Sequence, residues 1–200
     1  SSAAERSQLK LTWYRRPWKR CIQELQQGQA DGVFAAIWLP ERDSWGVFPG
    51  RQSGLATPDR RYRLWQVDYP ILTRTGSGLS WDGERFTGVN RGLTAPLGYV
   101  AQQRLGTLGV LSKASHTAEK ALRLVASGRL DGYVVERQIG LSLIHKLGLD
   151  GRVQMLPLPL MTADWHLPLS HQFVKRHPDL SARFWQSLGE ERERRLKELT

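Results

Sequence analysis

Hydrophobic positions fall at helical spacing twice along this chain, and each run ends the same way. Trp18, Cys21, Ile22 and Leu25 recur every three or four residues, as do Ala118, Ala121, Leu122 and Val125. That is the stripe of a helix with one buried face. Gly28 and Gly128 stand where each helix would stop, because glycine enters the left-handed conformation past a C-terminus without steric cost. Each copy continues to an Asp-Gly pair, Asp31-Gly32 and Asp131-Gly132, and then to an apolar run, Val33–Trp38 and Tyr133–Val135. Those runs read as buried strands. An apolar-x-x-Gly-x-x-Asp-Gly pattern thus occurs twice, and it predicts two α/β lobes of related construction with a cleft between them.

The remaining pattern fills in around this repeat. Leu9–Tyr14 alternates as a strand does, and Pro17 opens the first helix at a position where its missing N–H is harmless. Residues 40–63, rich in Pro, Gly, Arg and Asp, have no period and predict loop. Leu64–Thr73 reads as extended, and Gly76-Ser77-Gly78 punctuates the passage to the second half. Phe86–Val89 and Leu108–Leu111 read as short strands, and Pro96–Leu105 as a helix after a turn at Arg91–Thr94. Further on come a helix over Ile139–Leu147, extended segments at Val153–Leu160 and Trp165–Leu169, and a closing helix from Ser181. Strands alternating with helices predict a mainly parallel sheet in each lobe. The expected division is residues 1–75 with 155–200 for lobe 1, and 76–154 for lobe 2.

Composition narrows the function classes. Two hundred residues with 40% hydrophobic content suffice for one large or two small cores. No run of eighteen apolar residues occurs, and the opening Ser-Ser-Ala-Ala-Glu-Arg lacks the apolar centre of a secretory signal. The single cysteine, Cys21, excludes an internal disulfide and suits a buried, inert thiol. A net charge of +10 asks for either an anionic partner or a generally basic surface. The basic residues are spread as short clusters, and Arg192, Arg194, Arg195 and Lys197 alternate with glutamates as in a solvated, ion-paired helix. Without zinc-finger spacing, a recognition-helix pattern or an aromatic ribonucleoprotein signature, no nucleic acid partner is expected. The five histidines lack metal-ligand spacing, and no phosphate-cradling loop or Gly-x-Ser-x-Gly elbow is present. The chain is therefore expected not to be an enzyme, with no catalytic residue, metal or cofactor.

Taken in order, a set of short motifs resembles a known family. They are Pro17-Trp18-Lys19-Arg20-Cys21, Gly28-x-x-Asp31-Gly32 and Pro40-Glu41-Arg42, then Gly83-x-x-x-x-Gly88-Val89-x-x-Gly92-x-Thr94. Gly128-Arg129-Leu130-Asp131-Gly132 with Glu136, and Leu169-Ser170 before His177-Pro178-Asp179-Leu180, complete the set. Together they resemble the periplasmic solute-binding proteins of the amino-acid ABC transporter type, which have the type 2 periplasmic-binding-protein fold. The resemblance runs from about residue 9 to the end.

This resemblance implies an α/β, two-lobed periplasmic-binding-protein-like architecture with two hinge crossings, near residues 64–78 and 153–169. It implies a small, carboxylate-bearing, amino acid-like solute held between the lobes. Arg42 matches the arginine that clamps the ligand carboxylate, a task suited to a planar fork of donors. Glu136 stands where the family places an aspartate for the ligand ammonium, and it is one methylene longer. Thr94 and the N–H groups beside Gly92 match the loop that caps the carboxylate at a helix start. Trp38, or Trp45, is a candidate to stack on the ligand. The same residues admit plainer roles: Arg42 paired with Asp43 or Glu41, Glu136 as a helix-start charge, Thr94 as an N-cap, and Asp31 and Asp131 as turn-fixing groups.

The resemblance also implies a periplasmic location and either a membrane transporter or a sensor as partner. The family's first strand and first helix have no counterpart in this sequence, and a missing strand leaves an unpaired sheet edge. The alternative is an enzyme or enzyme-like protein on the same scaffold. A basic nucleic-acid-binding protein ranks behind it.

Overall fold

The computed structural model describes residues 2–198. Its first half runs through α1 (Ser2–Arg6), α2 (Trp18–Gln26), β1 (Ala36–Ile37), β2 (Trp65–Tyr69), β3 (Ile71–Arg74), β4 (Ser80–Trp81), β5 (Phe86–Thr87) and β6 (Leu93–Thr94). There follow α3 (Val100–Thr107), α4 (Ala118–Ala126), β7 (Gly132–Val134), α5 (Arg137–Lys146), β8 (Val153–Met155), β9 (Met161–His166), α6 (His171–Arg176) and α7 (Pro178–Glu198). The chain divides into two units, one holding residues up to Gln66 and from Asp164, the other Val67–Ala163. It leaves the first unit within β2 and returns within β9. The second unit therefore begins at Val67 and ends at Ala163, where residues 76 and 154 were expected. The reason lies in β3 and β8, which hydrogen-bond to each other and so belong to one body.

In the first unit, Pro17 precedes α2 with φ of −53°, and Ile22 and Leu25 pack against Val33. Gly28 ends the helix at φ +69°, its N–H bonding Leu25 O at 3.1 Å while Gln29 N–H reaches Glu24 O at 2.9 Å. This crossed pair is the Schellman arrangement. The strand expected over Val33–Trp38 shrinks to β1, because Ala35 adopts φ +64° and breaks the pleat before it. Leu9–Tyr14, expected as a strand, lies outside every described sheet. In the return segment, Ser170 Oγ accepts Phe173 N–H at 3.0 Å and caps α6, a helix the periodicity did not predict. Along α7, Phe184 and Trp185 pack with Ala4, Leu167 and Leu169, and Trp185 Nε1 donates to Leu167 O at 2.8 Å. The expected solvated face of this helix is partly buried: Arg192 Nη1 donates to Arg61 O at 3.1 Å, and a Cβ on Gly189 would sit 2.5 Å from that same carbonyl.

The second unit repeats the glycine stop. Thr117 Oγ1 accepts Lys120 N–H at the start of α4. At its end Gly128, φ +71°, bonds Val125 O at 2.9 Å, and Arg129 N–H reaches Leu124 O at 2.8 Å. Leu122 and Val125 bury against Leu72, Tyr133 and Ile144. The sheet order is β6-β7-β3-β8, and the expectation of mainly parallel sheets is corrected here. Only β6 and β7 run parallel, joined by a helical crossover, with a further parallel bridge between Leu93 and Leu111. β3 is antiparallel to both β7 and β8, and in the first unit β1 is antiparallel to β9. Strands joined through helices keep one sense, whereas the outgoing and returning crossings run oppositely.

Gly128 tests the glycine stop, since the nearest atom to a Cβ built there is Arg74 Nε at 3.6 Å. Gly128→Ala meets no clash and retains only the left-handed penalty. It is expected to lower the unfolding free energy by about 1 kcal/mol, read as a lower urea midpoint at unchanged m value.

Candidate functional site

Arg42 lies in the 3-10 turn Pro40–Ser44 and is buried, with 3% of its surface exposed. Its Nη1 donates to Ile37 O at 2.8 Å, and its guanidinium stands 4.3 Å from the centre of the Trp45 ring. The plainer pairing with Asp43 does not describe that carboxylate's role. Asp43 accepts Trp38 Nε1 at 2.8 Å and both Nε and Nη2 of Arg51, at 2.9 and 2.5 Å. Burial alone would raise the Asp43 pKa, but the hydrogen bonds from Arg51 and Trp38 outweigh it and hold the carboxyl below its ordinary range. Trp38 therefore has its indole N–H committed to Asp43, and the Arg51 guanidinium lies 5.2 Å from its ring centre. The arrangement fixes Arg42 by a carbonyl and an aromatic face and fixes Trp38 by a charged pair. Sequence reasoning missed Arg51, which sits in a stretch without period.

In the second unit, Glu136 is buried at the N-cap of α5. Its Oε1 accepts Gln138 N–H at 2.9 Å and its Oε2 accepts Ile139 N–H at 3.0 Å. The helix-start role is thus realised. Each carboxylate oxygen accepts one bond here and has capacity for more. Gly92 and Thr94 do not stand at a helix start, which corrects the expectation for them. The N–H groups of Asn90, Arg91 and Gly92 all donate to Asp131 Oδ2, at 2.8, 2.5 and 2.8 Å. Thr94 is 1% exposed within β6, paired with Tyr133, while α3 starts only at Val100. The donors read as an anion cap are already satisfied by a carboxylate of the chain itself. Asp131 has the turn-fixing role its plainer reading gave it.

No cluster of three or more His, Cys, Asp or Glu side chains is placed to hold a metal ion among the described residues. No described helix is long and apolar enough to cross a membrane.

No protein-family model matches the chain, and no curated protein matches it. Solved structures do. An ancestral arginine-binding protein bound to arginine aligns at a TM-score of 0.72 and 16% identity, covering 96% of this chain and 79% of that one. A histidine kinase sensor domain with similarity to periplasmic binding proteins aligns at 0.73 and 19% identity, covering 99% and 79%. The GluR0 ligand-binding core from Nostoc punctiforme, in complex with L-glutamate, aligns at 0.66 and 16%, covering 95% and 86%. The chain therefore has the α/β periplasmic-binding-protein-like fold.

One titratable group of the first unit has a consequence for stability. His166, at the end of β9, is 3% exposed, packs edge-on to Phe48, and neither ring nitrogen meets hydrogen-bond geometry. Burial pushes its pKa down to about 4; the Asp164 carboxylate opposes the shift, while Arg63 and Arg192 add to it. A folded pKa below the unfolded value means the unfolded chain takes up this proton first. The associated stability is complete above pH 6.5 and is lost as pH falls toward 4, amounting to about 3 kcal/mol. Denaturant titrations at several pH values are expected to show that slope, and His166→Phe to flatten it whatever its effect on absolute stability.

Proposed function

We propose that this protein is a binding module, not an enzyme, that captures a small amino acid-like solute through its carboxylate. The observation that carries this reading is the buried guanidinium of Arg42, oriented in advance by Ile37 O and the Trp45 ring. A guanidinium held in place loses little freedom on meeting a planar anion, whose geometry its flat shape matches. The Glu136 carboxylate, with lone pairs left over at the start of α5, suits an ammonium, and Trp38 adds an aromatic ring in the same unit as Arg42. The fold supports this reading, because solved proteins that share it include an arginine-binding protein bound to arginine and a ligand-binding core in complex with L-glutamate.

The captured solute is either handed to a membrane transporter in the periplasm or read as a signal. The sensing output draws support from the histidine kinase sensor domain, whose likeness spans 99% of this chain.

The test is a melting-temperature screen against L-arginine, L-lysine, L-glutamine and L-glutamate, followed by calorimetric titration. A true ligand at a hundred times its Kd is expected to add about 3 kcal/mol of apparent stability. Arg42→Ala abolishes the shift. Arg42→Lys, which keeps the charge and loses the fork, weakens binding by roughly tenfold or more and decides the matter should the alanine variant unfold. A ligand whose affinity both variants leave untouched removes Arg42 from the site.

A further inference from the structure

An exposed ridge runs through the first unit before α2. Every residue from Lys10 to Pro17 is exposed, and the stretch belongs to no helix and has no ladder partner. Its middle is aromatic: Trp13 and Tyr14 are 63% and 62% exposed, beside Leu11 at 36%. Phe34, 52% exposed, joins them from the segment after the Asp31-Gly32 turn, its ring 5.9 Å from that of Trp13 at 86°. Large apolar side chains gathered at a surface mark a contact site more often than scattered ones do. The ends of the ridge are basic, Lys10 on one side and Arg15, Arg16 and Lys19 on the other. No carboxylate pairs with these four among the described residues, whereas the next cation, Arg20, is taken by Glu24 at 2.6 Å.

We propose that this ridge docks the protein on an anionic phospholipid surface, with Trp13, Tyr14 and Phe34 at headgroup depth and Lys10, Arg15 and Arg16 on the lipid phosphates. The chemistry favours this occupant over two others. A second copy laid along the same edge would set the arginines and lysine of one chain against those of the other, which is unfavourable for facing side chains. Single-stranded nucleic acid needs open ring faces in succession to stack its bases, but Trp13 is turned edge-to-face on Phe34 and Leu11 offers no ring. A headgroup layer asks for neither. It accepts amphipathic rings and basic side chains together, and it still hydrates the N–H and C=O groups of a segment outside every ladder. This inference concerns a different face of the protein from the solute reading and does not depend on it.

Sedimentation with vesicles tests it, comparing phosphatidylcholine alone with phosphatidylcholine mixed with phosphatidylglycerol. The intact protein is expected to sediment with the mixed vesicles at low salt, to be released as salt rises, and to stay in solution with the neutral ones. Arg15→Gln with Arg16→Gln lowers the partition constant by roughly fivefold for each charge removed. Trp13→Ser with Phe34→Ser reduces it independently of charge. Should the aromatic double variant lose its cooperative melt, the arginine pair decides, since both residues are exposed and neither side chain makes a hydrogen bond or ion pair among the described residues. Equal retention on neutral vesicles, no retention on either, or retention unchanged in the variants overturns the proposal. Retention on single-stranded DNA with none on vesicles overturns it in favour of nucleic acid.

Discussion

Asp131 Oδ2 accepts three consecutive backbone N–H groups, from Asn90, Arg91 and Gly92, and so ties the approach to β6 beside β7 before any side-chain packing contributes. Converging N–H groups form a positively polarised hollow that favours an anion. The chain fills this hollow with its own carboxylate, delivered there by the reversal at Gly128. The register follows: Leu93 lies opposite Gly132 and Thr94 opposite Tyr133. A Cβ on Gly132 would stand 2.8 Å from Leu93 Cδ2, so a larger residue at that approach requires the buried Leu93 side chain to shift. With β7 fixed, Glu136 emerges at its end where its carboxylate caps α5. One sequence motif thereby positions both the sheet and the acidic group that caps α5.

The first copy of the motif reaches a similar geometry by other bonds. Ser170 N–H donates to the main-chain carbonyl of Asp31 at 2.9 Å, and Val33 N–H donates to Pro168 O at 3.1 Å. The backbone of the returning segment does here what a side chain does in the second unit. The duplicated helix–glycine turn was legible in the sequence because its bonds close within six residues. What each Asp-Gly pair would bind was not legible, because the partners come from distant parts of the chain.

The same distinction separates the rest. Helix α2 after Pro17 and the stops at Gly28 and Gly128 rest on local chemistry, and the pattern indicated all three. Strand sense depends on which segments meet, so alternation of strands and helices suggested more parallel pairing than β3 allows. Leu9–Tyr14 alternates convincingly, yet alternation describes side chains, whereas a strand also needs a neighbour for its backbone groups. Arg42 was legible as a residue type suited to a carboxylate, but its burial and its seat on Trp45 are tertiary facts. Gly92 and Thr94 were misplaced for a physical reason: a Gly-x-Thr turn resembles a helix-start anion site, and only the fold reveals that Asp131 already occupies it.

The surplus of positive charge can be located by asking where the acids went. In the first unit, Asp43 is taken by Arg51, Asp59 by Arg61, Asp164 by Arg60, and Glu191 by Arg194 and Arg195. Such partly exposed pairs contribute little stability each, but they consume carboxylates that would otherwise neutralise neighbours. The cations at Lys10, Arg15, Arg16 and Lys19 are what remains unmatched around exposed aromatic rings. A net charge of +10 opposes compaction through self-repulsion, and these four make no ion pair that would offset it among the described residues. Their contribution to folding is therefore unfavourable or nil, and their charge is left open to an anion outside the chain, as the docking proposal requires.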